Sequence, residues 1–575
     1  MTAPWQYRDP LEPVLAAEVS ASTLMAHVRT IGALERESGS PGETQAFDYI
    51  ERTLKSYGVE IERREIEAYI SLPRQAWLTL PGDVVIPGLT HSFSTSVEAL
   101  EAEVVDVGDG RPEDLTRAAG KIALIRGLPT PGRAWAAQQA GVLGHIHVLM
   151  DHLHNMIVTT IWGTPAPETA GRIPATPCLS ILGTDGERLR TLLAQGPLRV
   201  RMTTRVRTGW IPIPHLVGEL AGRREDRFLL LSGHVDSWHY GAMDNGAANA
   251  TMLEVARLLA TRSDALRRGI RFAFWSGHSQ GRYAGSAWYA DHAWRELHQR
   301  CVVHLNVDST GARGATDYSV LHATEDAAAF AECVVADVTG QRSRGRRFSR
   351  AGDQSFWGAG VPSAFMSLSG LPRQDTELSR AMERLVGSAG FPWWWHTKDD
   401  TIDKIDADVL VLDTRVYLAS ALRWLNAPVL PLDHGRAAQS LVAELEALQA
   451  AAGARFDLSA ALDAARALVE RLARVAAALV SPPPSRLDAI NRGLMRLSRA
   501  LVPLAYTTGD RFIHDLALPL PPLAGLQRAR ELATLDPDRD AFKFARAALV
   551  RERNRAVHAL DSAATVADEL LSLTV

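Results

Sequence analysis

Four side chains that could bind a metal ion lie far apart in the sequence. His234 ends the apolar run FLLLSGH, and Asp244 follows it, directly before an Asn-Gly pair. Asp308 ends the run CVVHLNVD, and His396 lies in the segment FPWWWHTKDDTIDKID. Imidazole and carboxylate groups are common zinc ligands. The residue types therefore allow a zinc site, although each residue alone equally fits a hydrogen-bonded histidine, a turn or a helix cap.

Further polar residues lie near these four. Asp236 follows His234 by two positions, where a carboxylate can hold the second ring nitrogen of a ligand histidine. Asp353 begins a loop before a predicted helix, so it is either an N-cap or part of the same cluster. Arg282 either faces a pocket and holds a carboxylate or is a solvated loop residue. Trp395, in a run of three tryptophans, either forms an aromatic wall for a substrate or packs in the core.

The elements that must position these residues follow from the hydrophobic pattern. Apolar runs at 228–234, 270–275 and 301–308 alternate with segments of helical spacing, which predicts a mainly parallel sheet covered by helices. The pattern of residues 41–58 predicts an amphipathic helix that ends near Gly58. In parallel sheets of this kind, functional groups gather beyond the carboxyl ends of the strands. His234, His278 and Asp308 all lie at such ends.

Changes in composition and hydrophobic spacing along the chain predict three domains. Residues 1–69 and 212–430 form one α/β domain, and residues 70–211 form an inserted β-rich module of short apolar runs divided by Gly and Pro. Residues 431–575 are rich in Ala and Leu at helical spacing and form a helical domain.

Composition excludes several classes of protein. Of the 575 residues 46% are hydrophobic, which excludes a mostly disordered chain, and a net charge of -4 predicts no general attraction to nucleic acid or to a membrane surface. The three cysteines are too few and too scattered for a disulfide framework or a cysteine zinc site. Neither a signal-like start nor an apolar span of about 18 residues is seen, so we expect a cytoplasmic protein.

Several segments together resemble the aminopeptidase-like zinc metallopeptidase family, which includes glutamate carboxypeptidase II and transferrin receptor. GHVDSWHYGAMDNGAA is similar to the first metal-binding segment of that family, HLNVDS to a later ligand-bearing strand, and WHTKDDTIDKID to the final histidine segment. HNMIVTTIWGTPAPETAGRIPATPCLSI resembles the inserted protease-associated domain, and INRGLMRLSRALVPLAYTTGDRFIHD resembles the helical dimerisation domain. The resemblance therefore covers nearly the whole chain in the right order and implies a homodimer.

The resemblance also implies a role for each residue. Asp244 would bridge two zinc ions, one of which would also bind His234 and Asp308, while the other would bind His396 and a glutamate. In the family this glutamate is the second of a Glu-Glu pair, and the first is the general base. Asp236 matches the acid that orients the first histidine.

This sequence departs from the family at the Glu-Glu pair. Aligned from the preceding strand, the pair corresponds to His278 and Ser279; aligned backward from Gly285-Ser286, it corresponds to Ser279 and Gln280. Neither alignment supplies a glutamate. His278 could bind the second ion or act as the base, and we favour the ligand role because an imidazole beside a metal tends to bind it.

We therefore expect an atypical hydrolase that cleaves an amide or peptide-like C–N bond with metal-activated water and one or two zinc ions. Its substrate would be a small peptide or an amino-acid derivative. The alternative is a non-catalytic binding or scaffold protein of the transferrin-receptor type. That alternative predicts joint loss of the metal ligands, whereas His234, Asp244, Asp308 and His396 are all present.

Overall fold

A computed structural model describes residues 3–387 and 390–574. Within these residues the strands are β1 (Glu60–Leu80), β2 (Val84–Thr90), β3 (Val97–Asp106), β4 (Ile122–Arg126), β5 (Gly144–Leu149), β6 (Cys178–Leu182), β7 (Arg199–Leu220), β8 (Phe228–His234), β9 (Gly269–Trp275), β10 (Cys301–Asn306), β11 (Val320–His322), β12 (Arg344–Arg346) and β13 (Ser363–Ala364). One large sheet has the order β1-β2-β6-β5-β4-β3-β7-β9-β8-β10-β13, and β1 also pairs with β7. Strands β11 and β12 form a separate pair.

The strands that carry the predicted site residues lie together in this sheet. Strands β9, β8, β10 and β13 are mutually parallel neighbours, and β7 pairs antiparallel with β9. Every residue of β8, β9 and β10 is buried, as continuous apolar runs predict for strands covered on both faces. The predicted α/β class is confirmed, and the carboxyl ends of these strands meet at one edge.

Helices flank the sheet and occupy part of the inserted segment. Up to residue 426 they are α1 (Glu12–Ala17), α2 (Ala21–Ile31), α3 (Pro41–Ser56), α4 (Pro112–Leu115), α5 (Pro131–Gln139), α6 (Pro167–Ala170), α7 (Gly183–Gln195), α8 (Ala248–Ala260), α9 (Ala284–His292), α10 (Trp294–Arg300), α11 (Glu325–Thr339), α12 (Glu377–Val386) and α13 (Ala407–Asn426). Helix α3 confirms the prediction for 41–58. The Ser40 hydroxyl caps it by accepting the N–H of Glu43 at 3.2 Å, and Gly58 follows its end with a φ of +79°.

A long two-stranded ribbon connects the inserted segment to the rest of the chain. Strands β1 and β7 pair antiparallel from Glu60 opposite Glu219 to Thr79 opposite Arg201. The predicted boundaries at 69/70 and 211/212 fall inside these two strands, close to the pair Tyr69 and Trp210. The segment between them is α/β rather than only β-rich, because helices α4 to α7 accompany strands β2 to β6.

The chain beyond residue 430 is helical and rests against the α/β part. Its helices are α14 (His434–Ala452), α15 (Ser459–Ala478), α16 (Leu487–Tyr506), α17 (Arg528–Leu532) and α18 (Asp540–Thr574). Helix α18 packs against α15 and α16. The approach to α16 is close at Gly493, where a Cβ atom would lie 2.5 Å from a methyl group of Leu570. Arg499 of α16 donates to the carbonyl oxygens of Gly360 and Leu297, at 2.7 and 3.1 Å, and so joins the helical part to the α/β part.

Among the helices within residues 3–387 and 390–574, none combines the length and the apolar character needed to cross a membrane.

Candidate metal centre

Three predicted site residues meet at the carboxyl edge of the parallel strands. His234 is the last residue of β8, His278 follows β9 and Asp308 follows β10. One ring nitrogen of each histidine and one carboxylate oxygen of Asp308 lie within 4.8 Å of one another. The parallel order of the strands brings these residues together, as we expected from their positions in the sequence.

Asp244 joins a fourth residue, His396, to this group. Its Oδ1 lies 3.1 Å from Nε2 of His234, and its Oδ2 lies 3.2 Å from Nε2 of His396. Nε2 of His234 is also 3.8 Å from Oδ2 of Asp308. The backbone N–H groups of Met243 and Asp244 donate to the carboxylate of Asp400, at 2.9 and 3.0 Å, and fix this turn. The Asp244 carboxylate therefore lies between two imidazoles.

The hydrogen bonds of the imidazoles assign their tautomers. Nδ1 of His234 lies 2.8 Å from the carbonyl oxygen of Asp236, and Nδ1 of His396 lies 2.7 Å from that of Asn155. A carbonyl only accepts, so each Nδ1 carries a proton, and in the neutral imidazole each Nε2 presents a lone pair to the carboxylates. Nε2 of His234 is buried and has no hydrogen-bond partner among the described residues. Lone pairs that face one another without a donor are the arrangement that a metal cation satisfies.

The electrostatics also favour a positive charge at this point. Burial and the charge of Asp244 raise the pKa of Asp308 to about 6. Burial acts to lower the pKa of His234, but the carboxylates of Asp244, Asp308 and Asp236 outweigh it and raise that pKa to about 10. Without a metal ion these carboxylates favour a proton on Nε2 of His234, and a bound cation would take the place of that proton. His234, Asp244, Asp308 and His396 thus fit a zinc ion in both donor type and charge.

The carboxylate of Asp236 has a different task from the one predicted. It was expected to orient His234, but its Oδ1 is 3.8 Å from Nδ1, and the backbone carbonyl of the same residue makes that bond instead. The carboxylate accepts the backbone N–H groups of His278, at 3.1 Å, and Ser279, at 2.7 Å. Asp236 therefore fixes the loop after β9 to the loop after β8.

The residues of this loop that were aligned with the Glu-Glu pair differ in their surroundings. Gln280 is buried in an anchoring network: its Oε1 accepts from the Ser38 hydroxyl at 2.7 Å, and its Nε2 donates to the Ser237 carbonyl at 3.1 Å. Of the three aligned candidates, His278 is the residue that joins the metal-binding group. Its ring stacks on that of His234, with the centroids 3.7 Å apart and the planes at 12°.

Asp353 is the partner of His278, so of the two roles left open from the sequence it takes the one within the cluster and does not cap a helix. The residues after it form turns, and Asp353 is buried with its Oδ2 at 2.7 Å from Nδ1 of His278. Its Oδ1 accepts the hydroxyl of Ser286 at 2.7 Å. Burial acts to raise the pKa of Asp353, but the adjacent His278 holds it below its ordinary value. An Asp before a polar turn looks like a cap in the sequence, and no local signal reveals this contact.

A pocket opens beside these residues. Apolar and polar side chains line it in similar numbers. Besides the residues already described, Met156, Ile157, Arg282, Tyr283, Met366, Met382, Leu385, Phe391 and Trp395 contribute to it. The Trp395 ring stacks on His396, with the centroids 3.5 Å apart and the planes at 18°. Both predicted substrate-binding residues, Arg282 and Trp395, therefore face the pocket. Met156 and Ile157, which the sequence analysis did not predict, come from the inserted segment.

Arg282 has few partners for a buried cation. It is only 7% exposed, and its Nε has no hydrogen-bond partner in the described part of the chain. No acidic side chain within residues 3–387 and 390–574 forms a salt bridge with it, and its guanidinium lies 5.0 Å from the centroid of the Tyr283 ring. A buried, unpaired guanidinium beside a pocket is suited to bind an anion.

The described residues combine an α/β fold with a cluster of imidazole and carboxylate groups at one edge of its sheet. Residues 215–420 match the sequence profile of peptidase family M28, which confirms the predicted resemblance. A probable glutamate carboxypeptidase, VP8, from Zea mays is 24% identical over 518 residues, which cover 75% of this chain and 70% of that protein. A probable lipoprotein aminopeptidase, LpqL, from Mycobacterium tuberculosis is 24% identical and covers 69% of this chain and 83% of its own length.

Solved structures share the fold. A zinc aminopeptidase from Bacillus subtilis superposes with a TM-score of 0.55 at 21% identity, covering 70% of this chain and 94% of that one.

Proposed function

We propose that this protein is a zinc-dependent hydrolase that cleaves the amide or peptide C–N bond of a small substrate with a free carboxylate. The observation that carries the proposal is the convergence of the Nε2 atoms of His234 and His396 on the Asp244 carboxylate, at 3.1 and 3.2 Å. The M28 match and the relatives named as carboxypeptidase and aminopeptidase support the reaction class.

The proposed metal ligands are His234, Asp244, Asp308 and His396, for one or two zinc ions. When bound, zinc acts as a Lewis acid on the scissile carbonyl and makes a nearby water molecule more acidic. Asp236, Asn155 and Asp400 hold these ligands in place through the hydrogen bonds described above.

For His278 we infer the role of general base rather than the ligand role favoured from the sequence. The His278 ring stacks face to face on that of His234, an arrangement that would not favour both rings as ligands of the same ion. Nε2 of His278 can accept a proton from the attacking water, while Asp353 accepts the Nδ1–H and stabilises the imidazolium. The same Nε2 then returns the proton to the leaving amine. This dyad would supply the proton transfer that a glutamate supplies in the family.

Arg282 and Trp395 are the proposed substrate contacts. The buried guanidinium of Arg282 lacks an acidic partner among the described residues, so a substrate carboxylate would complete its environment. Trp395, Phe391 and Met366 supply an apolar wall for the adjoining part of the substrate.

The remaining parts of the chain are assigned by the resemblance. Residues 70–211 would be a protease-associated domain and residues 431–575 a dimerisation domain. The exposed side chains of Phe512, Ile513 and Phe544 on the helical part are suitable contacts for a second copy. Light scattering at micromolar concentration should give the mass of a dimer, and a monomeric mass would contradict this assignment.

Metal analysis combined with a substrate panel tests the function. Protein purified without chelator should contain about one or two zinc ions per chain. Dipeptides and N-acyl amino acids should be hydrolysed, with the activity lost on chelation and restored by zinc. The same compounds with an amidated carboxyl group should be poor substrates. A metal content near zero after zinc supply, or hydrolysis that survives chelation, contradicts the proposal.

A further inference from the structure

A second group of metal-binding side chains lies inside the inserted segment. His145 and His147 are two residues apart on β5 and so project from the same face of the sheet. Cys178 on β6 pairs directly with His145. All three residues are at most 1% exposed. One ring nitrogen of each histidine and the Cys178 sulfur lie within 4.8 Å of one another.

The hydrogen bonds of this group leave two nitrogen atoms without partners. Nδ1 of His147 lies 2.8 Å from the carbonyl of Gly127 and therefore carries a proton, and its Nε2 lies 3.0 Å from Nδ1 of His145. Nε2 of His145 is buried and has no partner among the described residues. His91 contacts Ser180, the neighbour of Cys178 on the same face of β6, and its Nδ1 is likewise unpartnered within the described part of the chain. Buried polar atoms of native proteins are rarely left unpaired, so this group needs an explanation.

We propose that His145, His147 and Cys178 bind a soft metal ion, and that this ion is Cu+. Two imidazoles and a thiolate form a donor set for copper or zinc, and they exclude Mg2+ and Ca2+, which take oxygen ligands. No carboxylate of a described residue completes this group. With one thiolate, Cu+ leaves the buried site neutral, whereas Zn2+ leaves an unpaired positive charge at a large desolvation cost. On binding, the Cys178 thiol loses its proton to solvent and a sulfur–copper bond forms.

The proposed metal site would lie next to the loop that contains Ile157, which lines the pocket of the candidate metal centre. Cys178 packs in the same apolar cluster as Ile157, and Ile157 also lines the pocket beside Asp244. A metal ion on β5 and β6 would therefore crosslink the sheet that supports this loop. The expected role of the copper is structural.

X-ray absorption at the metal edge tests the proposal. The full-length protein is loaded with Cu+ in anaerobic, reducing buffer, and separately with Zn2+. We expect a sulfur scatterer at a bonding distance of about 2.3 Å for copper. The candidate metal centre supplies imidazole and carboxylate ligands, so a thiolate signature reports on the second site.

Variants assign the sulfur. Cys178→Ser should lose the sulfur scatterer and about one equivalent of copper per chain. The double variant C301S/C333S, which keeps Cys178 as its only cysteine, should retain both. If Cys178→Ser fails to fold, the double variant and the wild type still decide whether Cys178 is a ligand. A wild-type spectrum without sulfur for either metal overturns the site, and sulfur seen with Zn2+ alone overturns the assignment to copper.

Discussion

Asn155 and His396 are joined by two hydrogen bonds, one between their backbones and one from the His396 ring. The carbonyl oxygen of Asn155 accepts the Nδ1–H of His396 at 2.7 Å, and the N–H of Asn155 donates to the carbonyl of His396 at 3.0 Å. Asn155 belongs to the inserted segment, whereas His396 is a proposed metal ligand of the main domain. The inserted segment thus orients a residue of the candidate metal centre, and partners that orient ligand histidines affect metal affinity strongly.

This relationship predicts that Asn155→Pro weakens metal binding by about 10- to 100-fold, because proline removes the N–H that donates to His396. Competition with a chelator of known affinity measures the effect. Asn155→Ala is the matched control, since it removes only the side-chain contact to His239 and keeps the backbone bonds. Equal metal affinity in the two variants, with both folded, would mean that the insertion does not support the centre.

Removing a proposed ligand should remove the metal. His234→Ala and His396→Ala are each expected to lower the zinc content by at least half and to abolish chelator-sensitive hydrolysis. Elemental analysis of the purified variants provides the measurement. His292→Ala is the control, because His292 is exposed and bonds only within its own helix. Full zinc content in both ligand variants would be incompatible with the site.

The His278 and Asp353 dyad should separate catalysis from metal binding. We expect His278→Gln to lower kcat by about 100- to 10,000-fold while the zinc content stays near that of the wild type. Asp353→Asn should lower kcat with little change in KM, because it disturbs the tautomer of His278 without touching the metal. Parallel kinetics and metal analysis distinguish the roles. Loss of zinc in His278→Gln would restore the ligand role favoured from the sequence.

Arg282 should govern recognition of the substrate carboxylate. Hydrogen bonds to charged groups contribute about 1.5–3 kcal/mol, so Arg282→Gln should raise KM about 10- to 100-fold for substrates with a free carboxylate. Arg282→Lys, which keeps the charge but not the planar donor pair, should fall between wild type and Arg282→Gln. For amidated substrates the three proteins should differ little. A similar rise in KM for both substrate sets would count against carboxylate binding.

Buried His215 should make folding sensitive to acid. Burial lowers its pKa to about 3, whereas in the unfolded chain the group titrates at its ordinary value. Below about pH 6.5 the unfolded state therefore binds a proton that the folded state does not. Stability should fall as the pH falls, by about 1.4 kcal/mol per pH unit for this group. His215→Phe keeps an aromatic ring beside Trp275 and Trp288, so urea unfolding between pH 7 and 4.5 should show a shallower dependence. An unchanged slope would refute the role of His215.

The local pattern predicted the elements that carry the site but not every contact between them. Continuous apolar runs identified β8, β9 and β10, and the parallel order then placed His234, His278 and Asp308 at one edge. The sequence could not decide whether Asp353 caps a helix or joins the cluster, because its partner His278 is 75 positions away and hydrophobic periodicity carries no information about such a pair.

Backbone groups were also beyond the reach of sequence patterns. The backbone carbonyls of Asp236 and Asn155 orient two histidines. Because every residue has a backbone carbonyl, the residue type does not predict this role. The cysteines present a related case. They are too few and too scattered for a disulfide framework or a cysteine zinc site, but strand pairing brings Cys178 next to His145, a neighbour that the sequence order does not reveal.

The two-stranded ribbon of β1 and β7 limits how the inserted segment can move relative to the α/β part. These strands contain 21 and 22 residues, so the ribbon is about 70 Å long at the usual rise per residue. Sliding one strand past the other would break all the backbone hydrogen bonds between them at once, whereas bending at a single irregularity in the register would break only a few of these bonds. Such an irregularity occurs between Pro73 and Gln75. A hinge motion of the inserted segment would therefore bend the ribbon near that irregularity and would not slide its strands.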